Sequence, residues 1–161
     1  MSLPYPGGPE LDKLAETGDD SAFHLPVPHV DRPYDYSFSG PKTAFVNLVH
    51  TFVQRGQPLP TADLAASFRK SVVDQLVSRT MQAMHDLSEK RLAVAGGVAA
   101  NLLLRARLAT ACQDNGYQLY MPDVALCGDN AAMIASAAYW QLMRGELAGL
   151  ELNAQPALRM G

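Results

Sequence analysis

The chain has 161 residues, 48% of them apolar, and a formal net charge of −3. That length predicts one domain or two small lobes, with enough apolar side chain for a real core. The acidic balance excludes a free-standing nucleic-acid binder, whose footprint is basic, so contact with RNA would need a local basic patch or another chain.

Two cysteines, Cys112 and Cys127, suit a reducing compartment rather than a disulfide scaffold. No apolar run reaches the ~18 residues that span a bilayer, and no signal-peptide pattern opens the chain. These features predict a soluble, cytoplasmic protein with no membrane partner. Met1-Ser2-Leu3 fits an expression-vector remnant, in which case the chain is cut from something longer; a native start is the alternative.

In chain order, Pro4–Pro9 reads as a turn or loop, with three prolines and two glycines in six residues. Pro9 then opens a short helix over Pro9–Thr17, and Gly18 is its stop. Asp19–Pro33 is irregular, with a short extended piece over Phe23–Val27. Tyr34–Ser39 alternates aromatic and polar residues, the period-two pattern of a half-buried strand that Gly40 ends. Pro41 opens a helix to about Arg55, with Phe45, Leu48, Val49, Phe52 and Val53 on its apolar face.

Thr61 is predicted as the N-cap of a long helix through about Leu87, whose buried stripe is Leu64, Phe68, Val72, Leu76, Met84 and Leu87. Leu92–Ala95 is the next strand. Gly96-Gly97 turns it into a helix that favours residues from Ala99 to about Asn115, with Gly116 at C′. Gln118–Met121 is a brief strand and Pro122–Gly128 a loop. Asp129-Asn130 caps a last helix to about Arg144, stopped by Gly145, and Leu150–Gly161 is an extended tail. Helices outnumber strands, and the later strand–turn–helix–strand–helix order predicts an α/β domain with helices packed on a small sheet.

Three polar stations fall in glycine-bearing segments: Gly7-Gly8, Gly96-Gly97 with Asn101, and Gly128-Asp129-Asn130. The first turn of a helix leaves N–H groups unpaired at the positive end of its dipole, which suits phosphate or carboxylate. Asn101, placed in such a turn, offers both a donor and an acceptor. The plainer readings are a tight turn at Gly96-Gly97 and an N-cap at Asp129. The histidines make no metal site by spacing: His24 and His29 are five apart in a proline-rich loop, and His50 and His85 lie on separate helices. Ser37, Ser39 and Lys42 in SFSGPKT lack the spacing of a phosphate loop, and Pro41 removes a backbone donor there.

Taken together, the segments YPGGPELDKLA, YDYSFSGPKTA, LAVAGGVAANLLLR and LCGDNAAMIA occur in the order found in the C-terminal half of the tRNA threonylcarbamoyladenosine transferases. The chain thus resembles the TsaD family, long called O-sialoglycoprotein endopeptidase or glycoprotease. The resemblance implies one lobe of an actin-like, sugar-kinase/Hsp70-type ATPase fold. It implies transfer of a threonylcarbamoyl group from threonylcarbamoyl-adenylate to N6 of adenosine 37, in tRNAs that read codons beginning with A. By the same resemblance Gly8, Gly96, Gly97 and Asn101 bind the nucleotide-like substrate, and Asp129 is one ligand of a divalent metal, iron or zinc. Companion proteins of the pathway are expected partners. Gly8, Asn101 and Asp129 are then expected to line one wall of a pocket for an adenylate.

Some of the family's pattern is missing. The HxxxH motif of its N-terminal half, its first-lobe SGGH loop and the DxxxK segment just before PGGP do not occur in these residues, and Pro41 and Gly128 stand where leucine and threonine are frequent. Residues 1–161 are therefore read as a C-terminal lobe without its N-terminal lobe, with no catalytic residue of its own. Such a lobe is expected to be inactive by itself and to hold the metal weakly. The alternatives are a non-catalytic scaffold lobe that binds partner proteins, and a metallopeptidase as the older name suggests. An apolar face left uncovered would favour a homodimer of the chain.

Overall fold

The computed structural model describes residues 3–154. Met1 and Ser2 of the N-terminal tripeptide, and residues 155–161 of the predicted tail, lie outside the described residues. The chain divides into two units, Met1–Cys127 and Gly128–Gly161.

In the first unit, helix α1 spans Gly7–Leu14 and runs into a 3-10 turn at Ala15–Thr17. It starts two residues ahead of the predicted Pro9. The first turn of a helix has no use for its N–H groups, so proline is as acceptable at the third position as at the first. The glycine pair expected in a loop is thus the opening of a helix.

Gly18 is not the left-handed stop expected of it: its φ of −95° and ψ of 157° are extended. Its glycine is demanded instead by contact, because a Cβ there would sit 2.1 Å from the Ala62 carbonyl oxygen.

The strand predicted at Tyr34–Ser39 does not form. Phe23–Val27, read as a short extended piece within an irregular stretch, has neither helix nor strand. Tyr36 and Phe38 do stack, at 6.0 Å and 9°, as an alternating extended segment should allow. The backbone, however, finds side chains of a helix in place of a ladder: the Ser37 N–H donates to Gln75 Oε1 at 3.0 Å. Helix α2 follows at once, over Ser39–Gln54, with Phe45 against Phe68 at 4.7 Å and Phe52 against Phe23 at 5.8 Å.

Helix α3, Thr61–Asp86, is the spine of this unit. Pro60, not Thr61, holds its N-cap position. Leu64 and Met84 of the predicted stripe are buried, with Val73 beside it, whereas Leu87 is the exposed C-cap residue. Strand β1 (Arg91–Ala93), helix α4 (Leu102–Asp114) and strand β2 (Gln118–Tyr120) complete a parallel crossover, with Leu92 opposite Leu119. Val73, Leu104 and Leu108 form the core between α3 and α4, flanked by Leu76, Met81, Leu92 and Leu119. Ala15, Ala65 and Ala66 form a second, tighter core that seats α1, with Leu11 and Leu14 packed on it. This is a helix-rich α/β arrangement with a two-stranded parallel sheet. Gly116, at φ +67°, ends α4 as predicted.

The second unit holds helix α5, Ala131–Met143, ended by Arg144 and by Gly145 at φ +73°. Among the described residues no helix is long and apolar enough to cross a membrane.

Candidate substrate cleft

The site is built where β1 leaves the sheet. Gly96 has φ +88° and ψ 172°, a conformation that side chains resist, and it turns the chain into a 3-10 turn over Gly97–Ala100. Asn101 then takes an extended backbone (φ −64°, ψ 118°) and α4 begins at Leu102. The helix predicted to run on from Ala99 is therefore broken at Asn101, which becomes its N-cap. Asn101 Oδ1 accepts the Leu104 N–H at 2.8 Å. Its Nδ2 donates to Asp12 Oδ1 at 2.8 Å.

That second bond joins a network which sequence reasoning missed. Asp12 Oδ1 also accepts from Arg69 Nη1 at 3.0 Å. Arg69 further donates to the backbone oxygens of Asp12 and Ala15, each at 3.1 Å, and so satisfies carbonyls at the end of α1. Both side chains are largely buried, at 16% and 23% exposed. Arg69 Nε is buried and has no hydrogen-bond partner among the described residues. A guanidinium from α3 thus fixes a carboxylate on α1, which fixes the amide that caps α4.

Above this network lies a cleft of about 180 Å³. Gly8, Asp12, Arg69 and Asn101 line it beside an apolar wall that includes Leu11, Phe68, Val72 and Leu104. Gly96 and Gly97 do not line it, although Val98 of the same turn does. Complete small-molecule pockets are usually about 300 Å³ or more, so the cleft has room for part of a ligand.

Gly8 has no conformational need to be glycine. It sits inside α1, where glycine costs up to about 1 kcal/mol relative to alanine, its φ is ordinary, and nothing lies within 4 Å of the Cβ it lacks. Gly97 shares the same open surroundings and an ordinary φ. At both positions the main chain is left bare toward open space, where another molecule can approach.

Arg105, on the first turns of α4, reaches back over the same turn: its Nη1 donates to Ala99 O at 3.0 Å and its Nη2 to Pro122 O at 2.9 Å. Sequence reasoning missed Arg105 as well. It closes the LAVAGGVAANLLLR segment and Asp12 lies within YPGGPELDKLA, so both stood inside segments already singled out. Arg69 carried no such signal.

Asp129 belongs to the second unit. The capping role expected of Asp129-Asn130 falls to Asn130, whose Oδ1 accepts the Met133 N–H at 3.0 Å and whose Nδ2 donates to Gly128 O at 2.9 Å. Asp129 precedes the cap in an exposed bend. Transition metals take three or four protein ligands, and among the described residues no three of His, Cys, Asp and Glu come together to hold one. Asp129 can supply one carboxylate; the described residues do not make a complete metal site.

The family model for TsaD, tRNA N6-adenosine threonylcarbamoyltransferase, matches residues 1–136. The chain is similar to curated proteins named tRNA N6-adenosine threonylcarbamoyltransferase. It is 44% identical to the one from Caldicellulosiruptor saccharolyticus, over 99% of this chain and 47% of that protein. It is 44% identical to that of Bacillus subtilis strain 168, over 99% and 46%, and 46% identical to that of Listeria monocytogenes serotype 4b, over 98% and 46%. The chain spans about half the length of these relatives.

Proposed function

The chain belongs to the TsaD family of tRNA N6-adenosine threonylcarbamoyltransferases, and from that premise we propose that it is the C-terminal lobe of such an enzyme, with the actin-like ATPase fold. In this reading the complete enzyme transfers threonylcarbamoyl from threonylcarbamoyl-adenylate to N6 of adenosine 37, in tRNAs that read codons beginning with A. The lobe contributes one side of the adenylate site through Gly8, Gly96, Gly97 and Asn101. Asp129 contributes one carboxylate to an iron or zinc ion whose other ligands come from outside the described residues. Companion proteins of the cytoplasmic pathway, and a second copy of the chain, are its expected partners.

The observation that carries the reading is that Gly8 and Asn101, far apart in sequence, line one cleft that the fold leaves open. Gly8 supports it further, because its bareness serves no purpose in the helix. Asn101 Nδ2 carries a second N–H beyond the one given to Asp12, so a ligand can bond to the amide with the Asp12 contact kept.

Gly8→Ala tests the reading through opposite signs. The substitution is expected to stabilise the protein by a few tenths to about 1 kcal/mol in thermal unfolding. It is expected to lower transfer of threonylcarbamoyl to tRNA by the complete natural polypeptide carrying these residues. A variant that is both more stable and fully active would refute the assignment of Gly8.

The described residues hold no group of three metal-ligating side chains, and so they do not by themselves support the peptidase reading. The scaffold reading draws on α5, an apolar helix with no buried residue of its own. Activity of the complete polypeptide decides between scaffold and enzyme.

A further inference from the structure

Arg105 is half-buried and, among the described residues, has no carboxylate partner. Its contacts are backbone carbonyls and a thiol. Nη1 donates to Ala99 O at 3.0 Å and reaches Cys127 Sγ at 3.8 Å, and Nη2 donates to Pro122 O at 2.9 Å. Ala99 lies in the 3-10 turn that ends two residues before α4, next but one to Asn101. Pro122 and Cys127 bracket a second 3-10 turn, Val124–Leu126, and Cys127 is two residues before Asp129 in the chain. One guanidinium therefore bridges the backbone that presents Asn101 and both ends of the segment that leads into Asp129.

A half-buried charge held by two carbonyls and a thiol, with no carboxylate, is a costly way to fill space. What the guanidinium adds is a planar fork that serves two carbonyls from one rigid group, which an ammonium cannot copy. We infer that Arg105 is a positioning residue of the candidate site, holding the glycine turn and the 122–127 segment in fixed relation. The strap is read from its own hydrogen bonds; its consequence for ligand binding rests on the function proposed above.

The test uses the complete natural polypeptide carrying these residues, with Arg105→Ala and Arg105→Lys, and adenosine monophosphate as the probe. In Arg105→Ala, amide exchange is expected to rise about tenfold together in residues 97–101 and 123–127, with α3 unchanged. Arg105→Lys is expected to restore protection to one segment only. Affinity for the nucleotide is expected to fall about tenfold in Arg105→Ala and less in Arg105→Lys. A uniform rise in exchange that includes α3, a change in one segment alone in Arg105→Ala, or full rescue of both segments by lysine would overturn the inference. So would unchanged nucleotide affinity in Arg105→Ala, which would leave Arg105 a purely structural strap. Failure of the wild-type protein to bind the nucleotide would instead defeat the functional reading, and the positioning role with it, while the exchange data still report the strap.

Discussion

Asn101 and Asn130 do the same local job in different surroundings. Each caps a helix by accepting the N–H three residues on, at 2.8 and 3.0 Å. Asn130 also donates through Nδ2 to Gly128 O, two residues back, so these two contacts fall within six residues. Asn101 spends its other end on Asp12, which Arg69 holds in turn, so its cap is joined to two other helices. An N-cap can thus be one end of a network that reaches across the fold, and at Asn101 that network holds the side chain at a defined place in the cleft.

The comparison breaks most severely at Asp12. Asp12→Ala removes the acceptor for both Asn101 and Arg69 and leaves a largely buried guanidinium without its carboxylate. A loss of about 2–3 kcal/mol in denaturant unfolding is expected, and a loss below 0.5 kcal/mol would show the network to be ornamental. Asn101→Ala should come next, at about 1–2 kcal/mol, as the cap and one buried bond go together. Asn130→Ala should cost about 0.5–1 kcal/mol, the ordinary value for an exposed cap, read as lost α5 helicity by circular dichroism. Equal losses at the two asparagines would erase the distinction.

The smallest effect belongs to a third contact that joins α3 and α4. Burial pushes the Asp74 carboxyl up, but hydrogen bonds and charge from Lys70 and from Arg107, the latter at 2.5 Å, pull it down further, so it lies below the usual carboxylate value. A carboxylate depressed in the folded state adds stability above its unfolded pKa of about 4 and loses it as pH falls through the folded value. The pair is more than a third exposed, so solvent screening holds the gain to about 0.5 kcal/mol or less. Asp74→Asn should therefore flatten the acid limb of a pH–stability profile slightly and leave neutral stability almost unchanged. A large loss at neutral pH would mean that this ion pair, and not the Val73–Leu104–Leu108 core, seats α4.

Much of the fold was legible where a single local rule suffices. Gly116 and Gly145 mark helix ends because both occupy the left-handed region, and the periodicity of α3 was readable along its length. Tyr34–Ser39 misled because alternation reports which side each residue faces, not whether a second strand is present to pair with it. Gly8, Asn101 and Asp129 were singled out through motif resemblance, and of these Gly8 and Asn101 line one cleft. Asp12 and Arg69 were not, because their pairing joins two helices far apart in sequence and leaves no periodic trace. The capping role divided between Asp129 and Asn130 was a one-residue question that only backbone angles answer.

Gly18 lies six residues after Asp12 and does not itself line the cleft, yet it bears on how near one wall can come. Because its bare backbone touches the first turn of α3 at Ala62, any side chain there would lever the α1 end outward and carry Gly8 and Asp12 with it. A substitution at this position, though outside the cleft, is expected to behave as a widened binding groove.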